Sequence, residues 1–181
     1  YKALRIAVLS TAYGFLKQGL CPKDYILLHL GNTVEFPIAY LAAIAVDLVP
    51  VPASSQMTER EVEAIIATIQ PKAILTSSET HCPEQTNAVQ ISNTELKEMQ
   101  EEPLADFIYG YPNRLAYIVF SSGTSATPST VMHAHRAIWA RQMKVIDWCQ
   151  LRSNDRLLRA GEFNWTFTLG TGLLDPWSIG A

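Results

Sequence analysis

Short apolar runs rich in Ile, Leu and Val alternate along the chain with longer stretches of helical periodicity. That alternation predicts an α/β domain, a doubly wound, mostly parallel sheet with flanking helices, because strand-length apolar runs separated by helical crossovers bury both faces of a sheet. Strands are expected at residues 25–30, 48–51, 73–76, 88–91, 115–120 and 156–160, with helices between them. The clearest helix is expected over 59–69. Thr58 and Glu61 have capping-box spacing, Val62, Ile65, Ile66 and Ile69 share one face, and Pro71 blocks continuation. Ser92 and Glu95 repeat the capping signal ahead of a weaker helix ending near Gln100, and the acidic run at 98–102 reads as its solvated end. Residues 103–112 read as a connecting loop.

The chemistry concentrates in one place. A buried strand over 115–120 leads into the hydroxyl-rich run Ser121, Ser122, Gly123, Thr124, Ser125, Ala126, Thr127, Pro128, Ser129 and Thr130, followed by a helix expected to begin near His133. Such a loop offers backbone N–H groups and short hydroxyls to phosphate oxygens, and Gly123 permits close approach of the backbone. Three familiar templates do not fit. The Walker pattern G-x-x-x-x-G-K-S/T, started at Gly123, meets Pro128 and Ser129 where it needs Gly and Lys. The hydrolase elbow G-x-S-x-G finds Gly123 and Ser125 but ends on Thr127, which disfavours a serine hydrolase. A dinucleotide fingerprint started at Gly170 and Gly172 ends on Asp175.

Composition narrows the class further. The 181 residues are 48% hydrophobic and 17% charged, which suits a single globular unit and not a disordered chain. A net charge of −3 gives no basic footprint, so no nucleic-acid partner is expected. The longest apolar run, 36–46, is broken by Asp47 and falls short of the roughly 18 residues of a membrane span. Cys21, Cys82 and Cys149 are odd in number and far apart, which argues for neither a disulfide framework nor a zinc knuckle and fits a reducing cytoplasm. The sequence opens on Tyr1 in a helix-like pattern and stops at Ala181, so an excerpt of a longer protein is expected.

Laid against known patterns, residues 121–135 resemble the signature loop of the adenylate-forming superfamily, S/T-S-G-S/T-T-G-x-P-K-G-V-x-H-x-H, with Tyr117 upstream on the strand. Ser121, Ser122, Gly123, Thr124, Pro128, Val131, His133 and His135 fall in place without a gap, and Ser125 is a conservative change. Ala126 stands for the second glycine, Ser129 for the basic residue and Thr130 for the following glycine. Upstream, residues 19–28, 32–36 and 42–52 are similar to the opening βαβ units of AMP-forming acyl-CoA synthetases. Downstream, 155–165 resembles the strand and turn that enter the acyl pocket in the acetyl-, medium-chain and aryl-CoA ligase branch.

The resemblance implies that 1–181 is an N-terminal portion of the large adenylation domain, with the small C-terminal domain absent. It implies a carboxylate–CoA ligase that uses ATP, Mg²⁺ and coenzyme A on a small carboxylic acid, and no catalytic side chain of its own within these residues. Ser121, Ser122, Gly123, Thr124, Ser125, Ala126, Thr127 and Ser129 would contact the nucleotide phosphates, and Trp165 and Phe163 the acid. Ser129 keeps a rival open, a non-catalytic nucleotide-binding module of the same fold. An excerpt of such a domain is expected to expose apolar surface and to self-associate as a homo-oligomer. His133 and His135 lack a third ligand and read as packing or hydrogen-bonding groups at a helix start, so no metal is expected there. Gly170 and Gly172 are expected to allow close helix packing, and Asp175, ahead of Pro176, to be a local cap or surface group.

Overall fold

The computed structural model describes residues 1–80, 82–83, 86–121 and 129–181, with the side chain of Ser121 excepted. Helix α1 (Lys2–Lys17) leads into strand β1 (Tyr25–His29), α2 (Glu35–Ala45), β2 (Val49–Pro52), α3 (Glu59–Ile69), β3 (Ala73–Thr76), β4 (Val89–Ser92) and α4 (Asn93–Met99). A hairpin follows, β5 (Leu115–Ser121) with β6 (Ser129–Ala134), and then short helices: α5 (His135–Ala140), α6 (Gln142–Asp147), α7 (Thr166–Leu169), a π-helical segment (Gly170–Leu174) and α8 (Asp175–Ser178).

Four strands form a parallel sheet in the order β2-β1-β3-β4. Side chains alternate across it. Ile26 and Leu28 of β1 and Ala73 and Leu75 of β3 join the large core with α1 and α2, whereas Leu27 and Ile74 join Val62, Ile65 and Ile69 of α3 on the other face. That two-period alternation, read against helices on both sides, makes the sheet doubly wound. Both capping boxes form: Thr58 accepts from the Glu61 N–H and Ser92 from the Glu95 N–H, and each glutamate carboxylate accepts the N–H of its cap in return. The backbone N–H groups hold both carboxyls below their usual range.

Strand β2 reads Val-Pro-Val-Pro, and its prolines set the edge of the sheet. Val49 and Ala53 donate to carbonyls on the β1 side, Asp24 and Leu28, so Pro50 and Pro52 place their donor-less nitrogens on the outer side. Strand β5 packs against β2, yet no ladder joins the two among the described residues. The absence of N–H groups at Pro50 and Pro52 accounts for it.

Two expectations change. Residues 156–160 form no strand; Leu158 is 95% exposed and no described strand lies beside it to complete a ladder. The helix expected near His133 begins at His135, because Ser129–Ala134 extends as β6 and pairs antiparallel with β5. Among the described residues no helix is long and apolar enough to cross a membrane.

Candidate functional site

The β5–β6 register places Ser121 opposite Ser129, Phe120 opposite Thr130, Val119 opposite Val131 and Tyr117 opposite His133. The hydroxyl-rich run therefore sits in sequence between two paired strand ends. Ser122, Gly123, Thr124, Ser125, Ala126, Thr127 and Pro128 lie outside the described residues, as does His81. Ser129 is exposed on β6, and Ser121 has its backbone in β5.

At the far end of the hairpin a small charged cluster fixes its position. Asp47, in left-handed backbone at φ 58° after α2, accepts a 2.6 Å hydrogen bond from Arg114 Nε, and His135 Nε2 stands 3.7 Å from the same oxygen. Arg114 also donates to the Ile108 carbonyl at 3.0 Å, and the His135 N–H donates to the Arg114 carbonyl at 3.1 Å. The residues just before β5 and just after β6 are thereby tied to one carboxylate. Burial, helped by the Arg114 charge and opposed by Asp47, holds the His135 imidazole below its ordinary pKa.

His133 takes a different role from His135. Its ring stacks on Tyr117, with centroids 4.5 Å apart and planes at 11°. From that pair an aromatic column continues through Tyr40 (5.8 Å), Phe36 (6.1 Å) and Phe163 (5.1 Å). Phe163, proposed from sequence as an acid contact, is half-buried at the end of this column; Trp165, its companion, stands 68% exposed at the N-cap of α7. The segment 161–163 is held over the C-terminal ends of β1 and β2. Ser54 and Ser55 donate short hydrogen bonds to the Glu162 carboxylate, Asn32 Nδ2 donates to the Gly161 carbonyl, and Asn32 Oδ1 accepts from the Phe163 N–H. The carboxyl ends of parallel strands are where open α/β sheets take ligands.

The sequence reading missed the most buried charge among the described residues. Asp175, expected as a cap or surface group, is 1% exposed and accepts from Arg141 Nε at 2.7 Å and Nη2 at 2.9 Å, with Lys144 Nζ at 3.2 Å. The spacing Arg141, Lys144 on one side and Asp175 before a proline was the visible signal, but a separation of 34 residues hides a pair from local pattern. Gly170 leaves room for it: a Cβ there would overlap the Arg141 guanidinium. Gly172 likewise lies close to the Arg159 side chain, 3.1 Å from where its Cβ would be. Arg141 is also felt by the aromatic column. Burial raises the Tyr40 and Tyr117 hydroxyls and lowers His133; the Arg141 charge pulls both tyrosines back and pushes His133 further down. Tyr40 Oη and His133 Nε2 are buried without a hydrogen-bond partner among the described residues.

Among the described residues no group of three His, Cys, Asp or Glu is placed to hold a metal ion. The His133/His135 pair points its two rings to different neighbours, Tyr117 and Asp47.

Known proteins are similar to this chain in sequence and in fold. A 4-hydroxybenzoate–CoA/benzoate–CoA ligase of Rhodopseudomonas palustris is 24% identical over 100% of this chain and 36% of its own length. Enterobactin synthase component E of Escherichia coli is 24% identical over 88% of this chain and 33% of its own length. The crystal structure of a benzoate CoA ligase from Burkholderia xenovorans LB400 superimposes with a TM-score of 0.88 at 21% identity, over 98% of this chain and 38% of that one, a likeness of fold. The chain thus spans about a third of these relatives' length. The family described as AMP-binding enzyme matches residues 1–181, so the chain belongs to that adenylate-forming family.

Proposed function

We propose that this chain is the nucleotide-gripping part of an AMP-forming carboxylate–CoA ligase. The observation that carries the reading is the hairpin: the family's hydroxyl-rich stretch begins at the end of a buried strand, with Ser121 and Ser129 opposite each other. In the reaction a substrate carboxylate oxygen bonds to the α-phosphorus of ATP while the bond to pyrophosphate breaks. The thiol of coenzyme A then attacks the acyl carbon, AMP leaves, and a thioester remains.

Within that reaction, N–H and hydroxyl donors of Ser121, Ser122, Gly123, Thr124 and Ser125, with Ala126, Thr127 and Ser129 beside them, hold the β and γ phosphates as charge builds on the leaving group. An ionised carboxylate needs no general base, so no catalytic acid or base is assigned here. Mg²⁺ would neutralise phosphate oxygens; no described residue is assigned to it. Phe163, carried on the 161–163 segment over the strand ends, and Trp165, at the N-cap of α7, form one wall of the acid site. The names of the relatives, hydroxybenzoate and benzoate CoA ligases, make an aromatic acid the first substrate to test.

The test is acid-dependent exchange of labelled pyrophosphate into ATP by the intact protein, across aromatic and medium-chain acids. Stimulation by at least one acid, followed by thioester formation with coenzyme A, supports the ligase. ATP binding with no exchange for any acid would instead support the non-catalytic module that Ser129 in place of a basic residue suggests.

A further inference from the structure

Four hydrogen bonds converge on three consecutive residues, 161–163. Ser55 donates to Glu162 Oε1 and Ser54 to Glu162 Oε2, one hydroxyl to each carboxylate oxygen. Asn32 closes on the backbone at both sides of that residue: its Nδ2 donates to the Gly161 carbonyl and its Oδ1 accepts from the Phe163 N–H, each at 3.3 Å. These partners stand in the turns after β1 and β2, 107 to 131 residues earlier in the chain. Only the fold brings them together.

The clamp fixes orientation as well as place. Among the described residues Glu162 forms no ion pair, so hydroxyls alone hold its carboxylate, and two donors on two oxygens set its rotation. Its carbonyl accepts from the Trp165 N–H at 3.4 Å. Residue 162 therefore ties down the turn that carries both Phe163 and Trp165. At its other end the Phe163 ring lies on Phe36 of α2, centroids 5.1 Å apart and planes at 12°, and Phe36 is buried. Tethering the loop to the sheet would take one of these contacts; fixing the plane of one ring takes both ends.

We propose that Glu162 is a positioning residue for acid selection, holding Phe163 and Trp165 as a rigid wall through its bonds to Ser54 and Ser55. The inference rests on the carboxylate–CoA ligase reading and on the place given there to Phe163 and Trp165. The part of Glu162 is to place the wall, not to contact the reacting atoms. A rigid wall ranks acids sharply because it cannot adjust to a body of the wrong size, whereas a wall free to move accommodates several bodies. Cutting the clamp lowers selectivity before it lowers turnover. None of the four bonds reaches β5, at whose end the proposed phosphate donors begin, so the nucleotide is handled as before.

The test compares Ser55→Ala, Glu162→Ala and the double variant with the unsubstituted intact protein. Ser55 is the cleaner donor to remove, since Ser54 Oγ also accepts from the Gln56 N–H. Amide hydrogen exchange reads the clamp without any activity: residues 162–166 should exchange about tenfold faster in each variant, while residues 26–28 of β1 keep their protection. Kinetics read selection. Across aromatic and medium-chain acids, the kcat/KM advantage of the best acid over the others should shrink about tenfold, through a raised KM for that acid, with kcat and the KM for ATP little changed. The double variant should show no more than Glu162→Ala alone, because both changes cut one clamp. Unchanged amide exchange at 162–166, or a uniform loss over all acids with the ranking preserved, overturns the proposal. Pyrophosphate exchange with no acid at all in the unsubstituted protein would refute the ligase reading, and this inference falls with it; an active enzyme whose variants keep their ranking refutes this inference alone.

Discussion

Arg141, at the junction of α5 and α6, clasps the buried Asp175 carboxylate through Nε and Nη2 at 2.7 and 2.9 Å. The two partners differ in burial, and so do the expected costs of losing each. Arg141 keeps 20% of its side chain in solvent, while Asp175 keeps 1%. Arg141→Met leaves a buried carboxylate with only Lys144 and should cost about 3–5 kcal/mol. Asp175→Leu leaves cations that can turn to water and should cost clearly less. The double variant should lose less than the sum of the two, since neither charge is stranded. Urea denaturation of the four proteins measures the cycle; equal single costs that simply add would mean the pair is not the anchor it looks.

Gly170 sits beneath the same guanidinium. Gly170→Ala would normally stabilise a helical segment by up to about 1 kcal/mol. Here the new methyl overlaps Arg141, so the substitution should destabilise by about 2 kcal/mol. In an Arg141→Ala background the same change should become neutral or favourable. Denaturation midpoints of both backgrounds decide it, and a Gly170→Ala cost independent of Arg141 would point to backbone strain instead.

These two residues mark where sequence reading stops. Signals that act over three or four residues were legible: Thr58 with Glu61 and Ser92 with Glu95 both form the boxes their spacing implies, and α3 spans Glu59–Ile69 as expected. Strands β1, β2 and β3 were legible because each is a largely apolar run with both faces buried, whereas β4, Val-Gln-Ile-Ser, buries only Ile91. Strand β6 was not, since Ser129–Ala134 is largely exposed and is a strand only by virtue of pairing with β5. The segment 156–160 shows the converse: a strand-like sequence without a described neighbour to pair with stays irregular. Of the hairpin, only strand β5 could be located, and the aromatic column from Phe163 to His133 joins residues brought together only by the fold.

The two histidines of the hairpin set a pH dependence. Both His133 and His135 are held below the ordinary value of 6.5, chiefly by burial. The unfolded chain therefore takes up protons at higher pH than the folded one. Above 6.5 both states are neutral at these positions and nothing is lost; as pH falls through 6.5 toward the lowered folded values, stability declines. His133→Phe, which keeps a ring against Tyr117, should flatten that slope between pH 6.5 and 5. An unchanged slope in the variant, read from denaturation at several pH values, would assign it to other groups.

Trp165 tests the acid site. With 68% of its surface exposed at the N-cap of α7, it contributes little to packing, so Trp165→Ala should change stability by less than about 0.5 kcal/mol. In the intact protein it should nevertheless alter which acids are preferred, because a changed hydrophobic wall shifts transition-state binding by about 1–3 kcal/mol per methylene fitted or lost. The measurement is kcat/KM over a series of ring sizes and chain lengths. A uniform loss with the ranking preserved would remove Trp165 from the pocket.

Ser129 carries the last prediction. The family pattern has a basic residue at this position, and a lysine beside the triphosphate gives charge-assisted contacts roughly twice as strong as neutral ones. Ser129 offers a neutral hydroxyl, so ATP should be held less tightly here than a lysine would hold it. The side chain is exposed on β6 opposite Ser121, so a longer residue can be accommodated without repacking the core. Ser129→Lys in the intact protein should therefore lower KM for ATP several-fold, by about 1 kcal/mol of added ground-state binding, with kcat little changed. Thr130, opposite Phe120 and also exposed, replaces a glycine of the pattern, and Thr130→Gly combined with Ser129→Lys removes any crowding it causes. If both variants leave ATP kinetics untouched, residue 129 does not face the triphosphate and the register of this loop on the nucleotide must be redrawn.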